Sequence, residues 1–179
     1  LANALLRKIN NDQESLINIT NNLIVSVPEW IFTDWKKYYG EKNTYRLLKL
    51  FQEEAALDLR VKNNINYWVK SLQGVQLGTA TVRIFPKGKV VNLKGFKEGS
   101  WWVQDIAAQL PVLLMGNIKN KRILDLCAAP GGKTAQMLNE GAYVKSIDFS
   151  KERLNVLEDN IKRLDLYENL EIELSDIMT

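Results

Sequence analysis

The sequence predicts an α/β protein, on the strength of three changes of pattern along its 179 residues. The first 55 residues space their apolar side chains three and four apart, as helices do. From Ala56 the period falls to two, in LDLRV and again in TATVRIF. From Lys121 onward, strand-like and helix-like stretches alternate, the order in which strands and crossover helices build a wound parallel sheet. The expected division is a helical segment over 1–55, a small mixed α/β unit over 56–103, and the first part of a parallel-sheet domain over 104–179.

Residues 1–9 read as the end of a helix with Leu5, Leu6 and Ile9 on its apolar face. Leu1 has no start signal before it, so the N-terminus reads as cut. A second helix is expected over about 12–23. A third opens at SVPEW, where Ser26 can cap, Pro28 suits the first turn and Glu29 follows the serine by three. Gly40 ends it. In EKNTYRLLKLFQEEA, Tyr45, Leu48 and Phe51 recur three apart, which is the face of a fourth helix.

In the middle unit LDLRV and TATVRIF are strands, and INYWVKSLQG between them is a short helix closed by Gly74. PKGK and KGFKEGS supply turns around a short strand at Val90 and Val91. After SWWVQD a helix is expected through IAAQLPVLLMG, which Pro111 should start, kink or split. Then RILDL reads as a buried strand, GGKTAQMLNEG as a helix and AYVKSID as a strand. KERLNVLEDNIKRLDL carries Leu154, Leu157, Ile161 and Leu164 on one helical face, and LEIELSD is a third strand. A wound sheet has five strands or more, so the C-terminus also reads as cut.

Composition removes several function classes. With 46% hydrophobic and 25% charged residues the chain can bury a core, which disordered chains cannot. Lys and Arg exceed Asp and Glu by 24 to 21, a mild basic bias that permits a nucleic-acid partner without requiring one. No apolar run approaches the roughly 18 residues of a membrane span, and LANALLRKINNDQE lacks the apolar segment of a signal peptide. A cytoplasmic location is expected. One cysteine cannot form an internal disulfide, and the absence of histidine excludes a Cys/His metal site.

The stretch LDLCAAPGGKTAQML, residues 124–138, lies where a first strand turns into a first helix. Three ligands compete for such a turn. A nucleoside triphosphate loop needs G-x-x-x-x-G-K-[ST]. Gly132, Lys133 and Thr134 satisfy its end, but Cys127 stands where the first glycine should let backbone amides wrap a phosphate. The dinucleotide pattern G-x-G-x-x-G is absent. S-adenosylmethionine carries no phosphate and needs close backbone approach instead, which Ala128, Ala129, Gly131 and Gly132 allow.

The acids fit that third reading. Asp148 ends the second strand, where a carboxylate can accept from both ribose hydroxyls, and Asp176 ends the third, within reach of an adenine amino group. Lys133 can face the ligand carboxylate. Each has a plainer reading: Asp148 as a cap of the next helix with Ser150, Asp176 as a turn acid, Lys133 as a solvated lysine.

DLCAAPGGKT is similar to the cofactor loop of the Sun (Fmu-type) ribosomal RNA cytosine-5 methyltransferases. NALLRKI, VPEWI, LDLRVKNN, LKGFKEGSWWVQDIAAQL and SIDFSKERLNVLEDNIKRLDL resemble successive segments of the same family in the same order, over nearly the whole chain. The resemblance implies a Rossmann-like, adenosylmethionine-dependent methyltransferase sheet behind a linking subdomain and the last helix of an RNA-binding helical domain. It implies S-adenosyl-L-methionine as cofactor and small-subunit ribosomal RNA as partner. It makes residues 128–134 the loop around the methionine portion, counts Cys127, Ala128, Ala129, Pro130, Gly131, Gly132 and Lys133 as cofactor-binding, and makes Asp148 the ribose ligand, Arg153 its nearby support and Asp176 the adenine-side acid. In that family a cysteine thiolate attacks cytosine C6 and a second cysteine assists release, both beyond the third strand. The resemblance therefore makes Cys127 a structural member of the loop and leaves this chain without a catalytic residue, so that the 179-residue chain alone is expected to be inactive.

RNA contact has a candidate in Lys87, Lys89, Lys94 and Lys97 beside Phe85, Phe96, Trp101 and Trp102, since basic residues among aromatics suit single-stranded or looped RNA. Solvated turns above packed aromatics account for the same pattern, and Arg60 is open to either role. The competing classes are a P-loop-like NTPase and a non-catalytic RNA-binding remnant of the methyltransferase fold.

Overall fold

The computed structural model of the chain describes residues 2–12, 27–53, 55–85 and 88–178. By contacts it divides into two units, Leu1–Ala55 and Ala56–Thr179.

The first unit contains α1 (Ala2–Asn11) and α2 (Glu29–Gln52). Gly40 interrupts α2 with φ 74° and ψ 162°, a conformation open to a residue without Cβ, so α2 is two helical runs meeting at the glycine. Pro28, expected in the first turn, stands one place earlier as the N-cap residue. Of the expected Tyr45, Leu48 and Phe51 face only Leu48 is fully buried. Phe51 is exposed and lies against Trp35, ring centres 5.5 Å apart. Ser26 and most of the expected second helix fall on residues 13–26, outside the described residues.

The second unit holds two sheets. The first is antiparallel, in the order β2-β3-β1-β4, from β1 (Leu57–Val61), β2 (Val75–Leu77), β3 (Thr81–Ile84) and β4 (Trp101–Val103), with the helix α3 (Ile65–Ser71) after β1. β1 is central, pairing Leu59 with Val82 of β3 and Arg60 with Trp102 of β4. β2 and β4 were not expected as strands, because three residues are too short to show a period of two. The strand expected at Val90 and Val91 is a 3-10 turn over Val90–Asn92. Its amides are taken locally, Asn92 N–H by Lys89 O and Leu93 N–H by Val90 O, while Val90 and Leu93 pack on the sheet's core.

The second sheet is parallel, in the order β5-β6-β7, from β5 (Arg122–Asp125), β6 (Tyr143–Asp148) and β7 (Leu170–Leu174). α5 (Gly132–Asn139) and α6 (Lys151–Arg163) connect them, and α4 (Ile106–Leu114) precedes them. The expected face of α6 is correct: Leu154, Leu157, Ile161 and Leu164 are all buried, the last three in the core of this sheet. α4 starts on Asp105, whose carboxylate accepts Ala107 N–H at 2.7 Å, and runs through Pro111 without a break. Pro111 occupies an exposed place near the end of the helix, where one lost backbone hydrogen bond costs least. β5, expected to be buried, is not. Among the described residues it pairs on one side only, and Leu124 and Leu126 are exposed.

A buried polar chain joins the sheets. Arg60 on β1 donates to Gln109 of α4 at 2.6 Å and to Glu140 after α5 at 2.8 Å, and Thr81 on β3 donates to the same Gln109 oxygen. Gln136 of α5 donates to Gln109 O and accepts from Gln104, which accepts from Trp102 Nε1. At the other end Lys62 donates to Leu164 O, and Arg163 to Phe96 O and Trp101 O. No helix of the described residues is long and apolar enough to cross a membrane.

Candidate functional site

The turn after β5 is held almost entirely through its backbone. Ala128 N–H donates to Ile147 O at 3.1 Å and Gly131 N–H to Ala128 O at 2.8 Å. Ala129 is gripped at both ends of its peptide groups: its N–H donates to Asp148 Oδ2 at 3.2 Å and its carbonyl accepts from Arg153 Nη2 at 2.5 Å. Asn160 of α6 donates to Pro130 O at 3.1 Å. Gly131 has φ 102°, and a Cβ there would meet Leu157 Cγ at 3.0 Å, so glycine is required for both conformation and space. Thr134 donates to Asp125 Oδ2 at 2.8 Å and lies 3.2 Å from Ser146 Oγ, fixing the first turn of α5 to β5 and β6.

These bonds decide between two ligands. A phosphate cradle needs free, convergent N–H groups. Here the amides of Ala128, Ala129 and Gly131 are spent inside the protein, Pro130 has none, and the Thr134 hydroxyl that would meet a phosphate-bound cation is committed to Asp125. Three of the loop's amides are thus closed to a phosphate, which counts against the triphosphate reading. What the loop offers is a wall of small residues beside a cleft of about 460 Å³. Residues 127–133 and Asp125 form one side of the cleft; Phe96, residues 102–105, Asn160 and Arg163 contribute the rest.

The candidate residues fall into two groups. Cys127, Ala128, Ala129, Pro130, Gly131, Gly132 and Lys133 all line the cleft. Asp148, Arg153 and Asp176 are not on its wall. Asp148 is buried at the end of β6, where it accepts Ser150 N–H at 3.1 Å besides Ala129 N–H, and Arg153 Nη1 lies 3.5 Å from it. Ser150 caps α6 by accepting Arg153 N–H, so the plainer capping role read for this pair is present in the structure. Asp176 is exposed beyond β7 and accepts Met178 N–H, while Ser175 N–H donates to Asp148 O and brings the two strand ends together.

Three expectations need correction. Cys127, taken as a packing residue at the end of a buried strand, is exposed on the cleft wall, because β5 has an open side and the turn leaves it at once. Trp101 and Trp102 are buried, Trp101 in the antiparallel sheet's core with its Nε1 donating to Lys94 O, so neither offers a ring to RNA. Arg60 is the buried member of the polar chain, and burial among protein groups lowers its pKa against the opposing pull of Glu140. Lys87 is outside the described residues. Gln104, Asp105, Asp125, Asn160 and Arg163 line the cleft without having been singled out. WWVQD was the available signal, read only for its tryptophans.

Residues 112–179 match the family described as 16S rRNA methyltransferase RsmB/F. This is the Sun-type family that the loop string and the segments around it resemble. It is 30% identical to a probable ribosomal RNA small subunit methyltransferase B of Coxiella burnetii, over 99% of this chain and 45% of that protein. It is 31% identical to ribosomal RNA small subunit methyltransferase B of Photorhabdus laumondii, over 93% of this chain and 42% of that one. The chain thus spans less than half the length of these relatives. Among solved structures, NSun6 from Pyrococcus horikoshii, crystallised with SFG, aligns with a TM-score of 0.71 at 16% identity, over 86% of this chain and 66% of that one. A methyltransferase homolog from the same organism aligns at 0.67 and 20% identity, over 87% and 55%. At these identities the likeness establishes the fold, the Rossmann-like sheet expected for the Sun type.

Proposed function

We propose that this chain carries the S-adenosylmethionine site of an RNA cytosine-5 methyltransferase that acts on small-subunit ribosomal RNA. The observation that carries the reading is the loop 127–133, in which the Ala128, Ala129 and Gly131 amides are taken internally and whose small residues line an open cleft. That arrangement suits a ligand without phosphates, and the match to the Sun-type family supports it.

The residues present fit such a cofactor in kind. Small residues 128–132 let the methionine portion lie close to backbone, and Lys133, exposed at the start of α5, faces its carboxylate. Asp148 and Asp176 at adjacent strand ends serve the ribose and adenine sides. Two of the Asp148 lone pairs are used by Ala129 and Ser150, and the remainder are those a ribose diol would take, with Arg153 holding the carboxylate and the loop together. The bound cofactor would supply an electrophilic methyl group.

Cytosine C5 becomes nucleophilic only after attack at C6, and the sole thiol of the 179 residues, Cys127, is assigned here to the cofactor wall. The 179-residue polypeptide is therefore expected to bind cofactor without methylating RNA. Calorimetric titration with S-adenosylmethionine and with ATP tests the site: heat from the first alone supports it, and saturable ATP binding at the loop overturns it. Transfer of labelled methyl to ribosomal RNA by the 179-residue polypeptide would overturn the assignment of Cys127.

A further inference from the structure

We infer that α3 and residues 88–98 together form a docking face for single-stranded RNA that leads into the cleft. This deepens the proposed function, resting on it for the class of substrate, and adds the surface by which the substrate is held.

The charge of the chain is unevenly placed. Residues 56–103 hold eight Lys and Arg against two Asp and Glu, whereas the rest of the chain holds 16 against 19. The near-neutral whole conceals a basic segment, and local potential rather than net charge attracts a polyanion. Three of the eight are used internally: Arg60 with Glu140, Arg83 with Asp58, and Lys62 on Leu164 O. Lys70, Lys89, Lys94 and Lys97 are exposed, and Glu98 is the one exposed acid among the described residues of this segment.

These lysines share one layer. One face of the antiparallel sheet is covered by α3 and the 90–96 turn, whose Val90, Leu93 and Phe96 pack with Ile65 and Val69 on the core. Gly95, at φ 88°, lies against the Trp68 ring so closely that a Cβ would fall 2.3 Å from it, which seats the turn on α3. The outer side of that layer therefore carries α3 and turn residues together. Lys94 Nζ sits 5.2 Å from the centre of the half-exposed Tyr67 ring, and Tyr67 is braced edge-on by Trp68 at 4.9 Å. A fixed, accessible ring among lysines is what an unpaired base and its phosphates require, and a duplex offers no free base faces to such a ring. Continuity with the site comes from Phe96, which belongs to the same turn and lines the cleft, its ring held under the Arg163 guanidinium at 4.1 Å.

The test uses the 179-residue chain and a fluorescent single-stranded RNA of mixed sequence, read by anisotropy over a salt series. The variant K89E/K94E/K97E is compared with K119E/K121E/R122E, an equal charge reversal at exposed positions away from the face. The face variant is expected to bind at least tenfold more weakly, with a log-log salt slope shallower by about 2 for three lost phosphate contacts. The control is expected to stay within about threefold of the parent. Tyr67→Ala, checked for folding by circular dichroism, is expected to lose severalfold at every salt concentration. Equal losses in both triple variants, no loss in the face variant, absence of RNA binding by the parent, or preference for duplex DNA or anionic phospholipid vesicles would each overturn the inference. Cofactor titration of the same proteins separates it from the reading beneath it. RNA binding through the lysines without cofactor binding sinks only the proposed site, and cofactor binding with indifferent lysines sinks only the docking face.

Discussion

Buried charges of the antiparallel sheet are held mainly by side chains of other elements and strands, whereas the acids at the tips of the parallel sheet hold the turns that follow their own strands. Asp58 on β1 takes both Arg83 Nε at 2.7 Å and Nη2 at 2.9 Å, and also Ile106 N–H at the start of α4. Arg60 joins Gln109 and Glu140. Asp125 and Asp148, by contrast, hold Thr134 of the first turn of α5 and the Ala129 and Ser150 amides. The first arrangement cements elements together. The second shapes the turns at the open end of the strands, where a wound sheet takes its ligands. The difference separates what builds the unit from what can serve a ligand, and it can be tested residue by residue.

The largest effect is expected at Arg60. Removing one partner of a buried pair strands the other, which costs about 3 kcal/mol or more. Arg60→Ala should lower the stability of the second unit by about that amount in chemical denaturation, because Glu140 and Gln109 lose their common donor. Adding Glu140→Gln should recover part of the loss. An Arg60→Ala chain that is as stable as the parent would show that the polar chain does not bind the two sheets together.

At Asp148 the expected loss is of ligand rather than of fold. Each hydrogen bond to a charged acceptor is worth roughly 1.5–3 kcal/mol, so Asp148→Ala should weaken S-adenosylmethionine binding at least tenfold. Two causes would converge there, the proposed ribose contact and the release of Ala129. Arg153→Ala, which frees the Ala129 carbonyl but leaves the carboxylate, should show the second cause alone and a smaller loss. Calorimetry on both variants measures the split. Equal losses would remove Asp148 from the ribose and leave it as a loop anchor.

Asp58 gives a smaller effect with a defined pH dependence. Hydrogen bonding from Arg83 is the largest cause holding its pKa below the usual 3.8, aided by Ile106 N–H, with burial opposing. A carboxylate whose folded pKa is depressed contributes stability that is present above its unfolded pKa and is lost as pH falls through the folded one. Asp58→Asn should therefore melt below the parent at pH 7, and the two melting curves should converge as the pH is taken below about 4. A gap that persists unchanged into acid would mean that shape, not charge, is what Asp58 supplies.

How far the sequence reached follows the same division. The parallel sheet is legible because its helices carry strong apolar faces and its turn carries a specific string, so α6 and the turn between β5 and α5 stand where the sequence places them. Strands β2 and β4 are not, since three residues hold no periodicity and pair only because β1 and β3 present their edges. Val90 and Val91 misled through β-branching, which a tertiary seat on Trp68 and its neighbours overrode. The far walls of the cleft come from residues 96 to 105 and from the end of α6, which only the tertiary fold brings to the loop, Gln104 against Gly132 and Asn160 on Pro130 O. Sequence distance hid them.

The smallest effect is expected at Cys127, and it bears most directly on the mechanism. A buried thiol would be inert through inaccessibility, and this one is exposed on the cleft wall. Exposure alone does not make a nucleophile. A cysteine becomes one when a base or a cation stabilises its thiolate, and the chain has no histidine to serve as that base. Lys133, the cation of the same wall, is assigned to the cofactor's carboxylate. Cys127→Ala removes one small side chain from a loop held by backbone bonds, so S-adenosylmethionine affinity should change by no more than about threefold, well under 1 kcal/mol. In a protein extended to the length of its relatives, the same variant should keep most of its methyl transfer. Loss of transfer with folding and cofactor affinity intact would move Cys127 from the wall into the chemistry, and would make the tip of the parallel sheet a place where a side chain reacts rather than one where backbone is held.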